Sequence, residues 1–103
     1  MLDFYLIPSD ESFPDDSAGL DAAGGLDMST FERLQRYGVI EDDVSFFEDF
    51  RWSYHSVLDK YKFLRKNYDA IKEERYDGSD EYKLFEILIK AHETKMDLVA
   101  FCD

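Results

Sequence analysis

Cysteine is almost missing from this chain: Cys102 stands alone among 103 residues. One thiol closes no internal disulfide, and small extracellular domains ordinarily need several bridges. The sequence therefore predicts a reduced, half-buried side chain in a cytoplasmic protein. Long apolar stretches are missing too. The run at residues 2–7 is interrupted by Asp3, has no Lys or Arg before it, and is too short for a signal peptide or a membrane span. Histidine occurs only as His55 and His92, and without a second cysteine there is no local zinc-ligand spacing.

Glycine is sparse and badly placed for chemistry. Gly24-Gly25 has no lysine after it, so no phosphate-cradling loop is present. Residues 15–21 carry oxygens at alternate positions, as calcium loops do. Counting from Asp15, however, the sixth position is Leu20 and the twelfth Leu26, where such loops need a glycine and an acid. No nucleophile motif surrounds Cys102, and carboxylate pairs are too numerous for any one to indicate acid catalysis. These absences predict a non-enzyme with no metal and no cofactor. A small enzyme or ligand-binding domain would need a deep pocket with polar groups converging near His55 or His92.

Positive charge is scarce in one half of the chain. Residues 1–50 hold thirteen Asp or Glu against Arg33 and Arg36, whereas residues 51–103 hold eleven acids against ten Lys or Arg. The net charge of −12 thus belongs almost wholly to the first half. That excludes direct nucleic-acid binding and docking on an anionic membrane face, both of which need clustered cations. It favours a cationic protein partner, because opposite charge accelerates encounter.

Rings and carboxylates are abundant instead. Seventeen aromatics and a hydrophobic content of 45% suffice for the core of a single domain over residues 1–103. Residues 2–7 alternate as a strand, with Leu2, Phe4 and Leu6 on one face and Asp3, Tyr5 and Ile7 on the other. Residues 8–28 carry both prolines, six acids and no base, which predicts an acidic loop with room for a turn of helix near 18–23.

Ser29-Thr30-Phe31-Glu32 reads as a capping box for a helix over 29–37, ended by Gly38 and followed by packed Val39 and Ile40. Ser45-Phe46-Phe47-Glu48 repeats the pattern. Phe50, Tyr54, Val57, Tyr61, Leu64, Tyr68 and Ile71 then recur at steps of four and three, which predicts a long amphipathic helix over 45–74. Its basic residues Lys60, Lys62, Arg65 and Lys66 read as a solvated face. Asp77-Gly78-Ser79 breaks the chain before a third helix over 79–95. That helix is apolar around most of its girth apart from Lys83, Glu86, Lys90 and Glu93, and is therefore central. Residues 98–102 either continue it or form a strand. We favour the strand, because residues 2–7 otherwise have no partner for their backbone groups. The expected class is α+β, with an all-α bundle as the alternative.

One segment combines both abundant residue types. Residues 41–52 hold five acids, three phenylalanines, Arg51 and Trp52, the mixture of aromatic anchor and polar rim found at interface hot spots. On a helix, Phe46 and Phe50 would share one flank while Glu48 and Trp52 share another, so not every ring could enter the core. The competing reading makes Phe47, Phe50 and Trp52 core and the acids helix caps. The candidate contact residues are Glu41, Asp42, Asp43, Glu48, Asp49 and Trp52, with Asp10, Glu11, Asp15 and Asp16 as a second set.

In size, charge and this acid–aromatic run the chain resembles small bacterial immunity proteins, acidic single domains that inhibit nuclease toxins. The resemblance implies a cytoplasmic inhibitor whose carboxylates cover a cationic toxin or nuclease site. The alternative is a nucleic-acid mimic from a phage or mobile element that blocks a DNA-binding protein, although mimicry favours acids along an extended face.

Overall fold

A computed structural model describes residues 1–75 and 80–102. It is an α+β fold: β1 (Leu2–Ile7), β2 (Asp21–Leu26), α1 (Met28–Arg36), β3 (Phe50–Trp52), α2 (Tyr54–Arg75), α3 (Asp80–Thr94) and β4 (Asp97–Cys102). The four strands form one antiparallel sheet in the order β2-β1-β4-β3. The expected pairing of the two terminal strands is present, running from Leu2 opposite Cys102 to Ile7 opposite Asp97. The sheet rules out the all-α alternative.

Alternation along the strands assigns the two faces. Leu2, Phe4, Leu26, Trp52, Leu98 and Ala100 belong to the main core with the helices, whereas buried Ile7 and Val99 lie outside that cluster. These two point to the outer face together with Tyr5, Arg51, Asp97 and Phe101. On the helical side α2 packs on β3 and β4, α3 on α2 and β2, and α1 on α3. The central position expected for α3 is therefore correct: Leu84, Ile87, Leu88 and Ala91 are buried. Each large aliphatic buried there contributes ~1.5–3 kcal/mol, against ~0.3–0.5 kcal/mol for an exposed Glu86–Lys90 pair. Lys90 in fact donates to the Ala23 carbonyl at 3.0 Å, tying α3 to β2.

Three expected boundaries are corrected. The acidic loop ends at residue 20, because Asp21–Leu26 is strand β2 rather than loop or helical turn. Its sequence, Asp-Ala-Ala-Gly-Gly-Leu, lacks β-formers, but small residues let α3 approach closely. A Cβ on Gly24 would lie 2.7 Å from Ile87 Cγ1, and Gly24 has φ +148. The first helix is capped two residues earlier: Asp27, not Ser29, is the cap, and it accepts the Thr30 amide at 2.8 Å. That bond, then the Thr30 hydroxyl, holds the Asp27 carboxyl below its ordinary range, against a small opposing effect of burial and with help from Lys83 and Arg33. Gly38 follows the helix with φ +78, as expected, and Val39 and Ile40 are buried.

The largest correction concerns residues 45–53. The long helix starts at Tyr54, capped by Ser53, whose Oγ accepts the Ser56 amide at 3.2 Å. Ser45 instead closes a turn, accepting the Phe47 amide at 3.1 Å, and residues 50–52 are strand β3. Glu41, Asp42 and Asp43 are therefore far in sequence from the positive end of α2. Asp97 occupies that position, accepting the Tyr54 amide at 2.6 Å. Val57 and Leu64 of the predicted stripe are buried. The Tyr68 and Ile71 side chains and the 77–79 break lie outside the described residues.

Trp52 is 3% exposed, and among the described residues its Nε1 has no acceptor. Phe carries no N–H to leave unpaired, so Trp52→Phe should cost under about 1 kcal/mol in urea unfolding, well short of the ~3–5 kcal/mol usual for truncating a buried aromatic.

Candidate functional site

The acid–aromatic run is an irregular segment braced from beneath. Gln35 on α1 donates through Nε2 to the carbonyls of Glu41 (3.0 Å) and Val44 (2.9 Å). Lys60, expected on a solvated face, is buried. Its Nζ lies 3.1 Å from both Glu41 carboxylate oxygens, donates to Ser56 Oγ at 2.8 Å, and stands 4.5 Å from the centre of the Trp52 ring. Phe46 anchors the middle, edge-on to Phe31 at 5.6 Å. Asp49 fixes the far end by accepting the Cys102 amide at 3.0 Å.

This bracing divides the predicted contact residues into two groups. Trp52 is core, because a strand that turns Arg51 outward turns Phe50 and Trp52 inward; it is removed from the candidate surface. Glu41 and Asp49 are employed internally. Asp42, Asp43 and Glu48 remain exposed, and none takes part in the ion pairs found among the described residues. Phe47, read from sequence as core or interface, is the most exposed large apolar side chain among the described residues at 67%.

Between α1 and this segment runs an open groove of about 400 Å³. Its lining includes the apolar Met28, Phe31, Val44, Phe46 and Phe47, with the exposed acids Glu32 on α1 and Asp42 on the facing segment. Met28 and Glu32 were not among the sequence candidates. Their signal was present only as an exposed apolar–acid pair four apart on α1, one turn of the same face. A smaller recess of about 190 Å³ beside Val39 and Phe63 includes Lys60 in its wall, but that cation is already committed to Glu41.

The second acidic set lies on the other side of the sheet. Arg51 straps residues 8–11 to the outer face, donating to the carbonyls of Glu11 (2.6 Å), Pro8 (3.2 Å) and Ser9 (3.4 Å). Phe13 packs edge-on against Phe101 at 5.8 Å. Asp10, Glu11, Asp15 and Asp16 are exposed on this strap. Through Phe13 on Phe101 and Asp49 on Cys102, both acidic segments touch the C-terminal end of β4.

Arg51 is held in turn by Asp97, with Nη2 at 2.7 Å and Nε at 2.9 Å from Oδ2. Ser9 Oγ donates to Oδ1 at 2.8 Å. Burial pushes the Asp97 carboxyl upward, but the bonds from Ser9, Arg51 and Tyr54 and the Arg51 charge outweigh it and hold the group low.

Among the described residues, neither histidine gathers polar groups around a cavity. His55 is exposed beside Asp59 at 3.4 Å. His92 stacks on Tyr61 at 4.3 Å, with its Nδ1 3.5 Å from the Tyr54 hydroxyl, joining α3 to α2. Among the described residues no group of three His, Cys, Asp or Glu could hold a metal ion, and no helix is long and apolar enough to cross a membrane. The chain matches no protein-family model, no curated protein and no solved structure at a significant level.

Proposed function

We propose that this chain is a non-catalytic, cytoplasmic interaction module of the immunity type, which captures and neutralises a basic toxin or nuclease. The observation that carries the reading is the division within residues 41–49. Glu41 and Asp49 hold the segment in place, while Asp42, Asp43 and Glu48 stay exposed beside the exposed Phe47. Exposed carboxylates that join no ion pair among the described residues, held on a fixed scaffold, steer a cationic partner without first breaking internal ion pairs. Carboxylates around an apolar groove also suit a protein surface better than they imitate a row of phosphates, which places the nucleic-acid mimic second.

The test is affinity capture from the native host at low and high salt, followed by kinetics with the captured partner. The triple variant Asp42→Lys, Asp43→Lys and Glu48→Lys leaves Glu41 and Asp49 in their structural roles. It should slow association at least about tenfold at low ionic strength, with the gap narrowing as salt screens the charges. Unchanged capture by this variant, or a captured partner without a basic surface, would refute the proposal.

A further inference from the structure

We infer that the groove between α1 and the 41–48 segment receives one bulky apolar side chain of the partner, flanked in the partner's own chain by Lys or Arg. The inference rests on the basic-partner reading above and names the feature that the groove recognises. Met28 and Phe47 come from different elements yet border the same groove, 40% and 67% exposed. Phe31 and Phe46 form an aromatic wall beneath them, and Met28 brings a pliable side chain that can settle around a ring or a branched aliphatic.

Charge selects among possible occupants. A second copy of this chain would bring its own Asp42, Asp43 and Glu48 against the same carboxylates, in a molecule of net charge −12. A neutral apolar ligand would cover Glu32 and Asp42 without compensating them, and stripping water from exposed carboxylates is costly. A ring or aliphatic with cations on both sides satisfies the groove and its two acidic walls together. The groove is also set before binding, because Gln35 and Lys60 already hold the segment that forms one side, so little ordering is required on contact. Carboxylates then govern arrival, and the filled groove governs departure.

The experiment titrates the ¹⁵N-labelled full chain at low salt with three synthetic pentapeptides: Lys-Lys-Phe-Lys-Lys, its central-alanine version, and Glu-Glu-Phe-Glu-Glu. The first should bind at least tenfold more tightly than the second and displace amide signals of residues 28–35 and 42–47, while the acidic peptide should leave them unmoved. The double variant Met28→Ala and Phe47→Ala removes exposed side chains only, so it should keep the fold and abolish the preference for phenylalanine. Equal binding of the two cationic peptides would overturn the groove inference while leaving the basic-partner reading intact. No response to either would count against both. Signals moving around Phe63 instead, or self-association in sedimentation velocity, would assign the groove no such occupant and overturn it.

Discussion

Replacing Asp97 by Asn should destabilise the protein by about 2–4 kcal/mol. Asp97 is 4% exposed and receives Ser9, Arg51 and the Tyr54 amide at once. Asn can still accept hydrogen bonds, but it leaves the Arg51 guanidinium without a counter-charge. Breaking one partner of a fully buried pair costs ~3–5 kcal/mol. The expectation is set lower because the Arg51 side chain keeps 21% of its surface in water. Urea unfolding of the wild type, Asp97→Asn, Arg51→Met and the double variant would measure the coupling. Additive losses would show that the pair contributes no interaction of its own.

The pH dependence follows from the same carboxyl. Its folded pKa lies below the ordinary aspartate value of 3.8, so the unfolded chain takes up the proton first as pH falls. The stabilisation is complete above about pH 5, declines as pH drops through the unfolded value, and is gone below the folded one. Asp97→Asn should flatten that acid limb and leave the neutral-to-alkaline side parallel to wild type. Because Arg51 also straps residues 8–11, the variant should be cleaved faster by proteases within residues 8–20.

The second large effect is expected at Gly24. With φ +148 it occupies backbone space that side-chain-bearing residues rarely adopt, and an added methyl would press on Ile87 Cγ1 at 2.7 Å and Cδ1 at 3.1 Å. Backbone strain of this kind costs ~1–3 kcal/mol and overpacking a further ~1–3 kcal/mol. Gly24→Ala should therefore lose about 2–5 kcal/mol in chemical denaturation. Ile87→Ala opens space at that contact, so the combined variant should be more stable than the sum of the two losses predicts, by ~1 kcal/mol or more. Strict additivity would mean that the two residues do not meet.

The sequence's legibility divides along physical lines. β1 and β4 could be foreseen because residues 2–7 alternate and their backbone groups demand a partner. The expected burial of Leu84, Ile87, Leu88 and Ala91 followed from a helix with one narrow polar stripe. β2 was hidden because it forms through close contact with α3 rather than through strand-favouring side chains. β3 was disguised by arithmetic: Phe50, Tyr54 and Val57 fall at helical spacing although Phe50 belongs to a strand and the other two to a helix. That coincidence, with the false capping box at Ser45, also misplaced Trp52 on the surface. The acid–aromatic run was visible as a candidate segment, but the division between its exposed and structural carboxylates depended on Lys60 and Cys102, both distant in sequence. The groove needed Met28 and Glu32 brought from α1, which no local pattern announces.

The central ladder, Leu2–Ile7 against Asp97–Cys102, has a kinetic consequence. The two middle strands are the first and last elements described, so they cannot pair with each other until residues 97–102 have been synthesised. Helices and the β1–β2 hairpin can form early, but closing the longest loop in the molecule comes before the sheet gains its middle. On a ribosome, the nascent chain would carry the β4-facing edge of β1 without its backbone hydrogen-bond partners until residues 97–102 clear the exit tunnel.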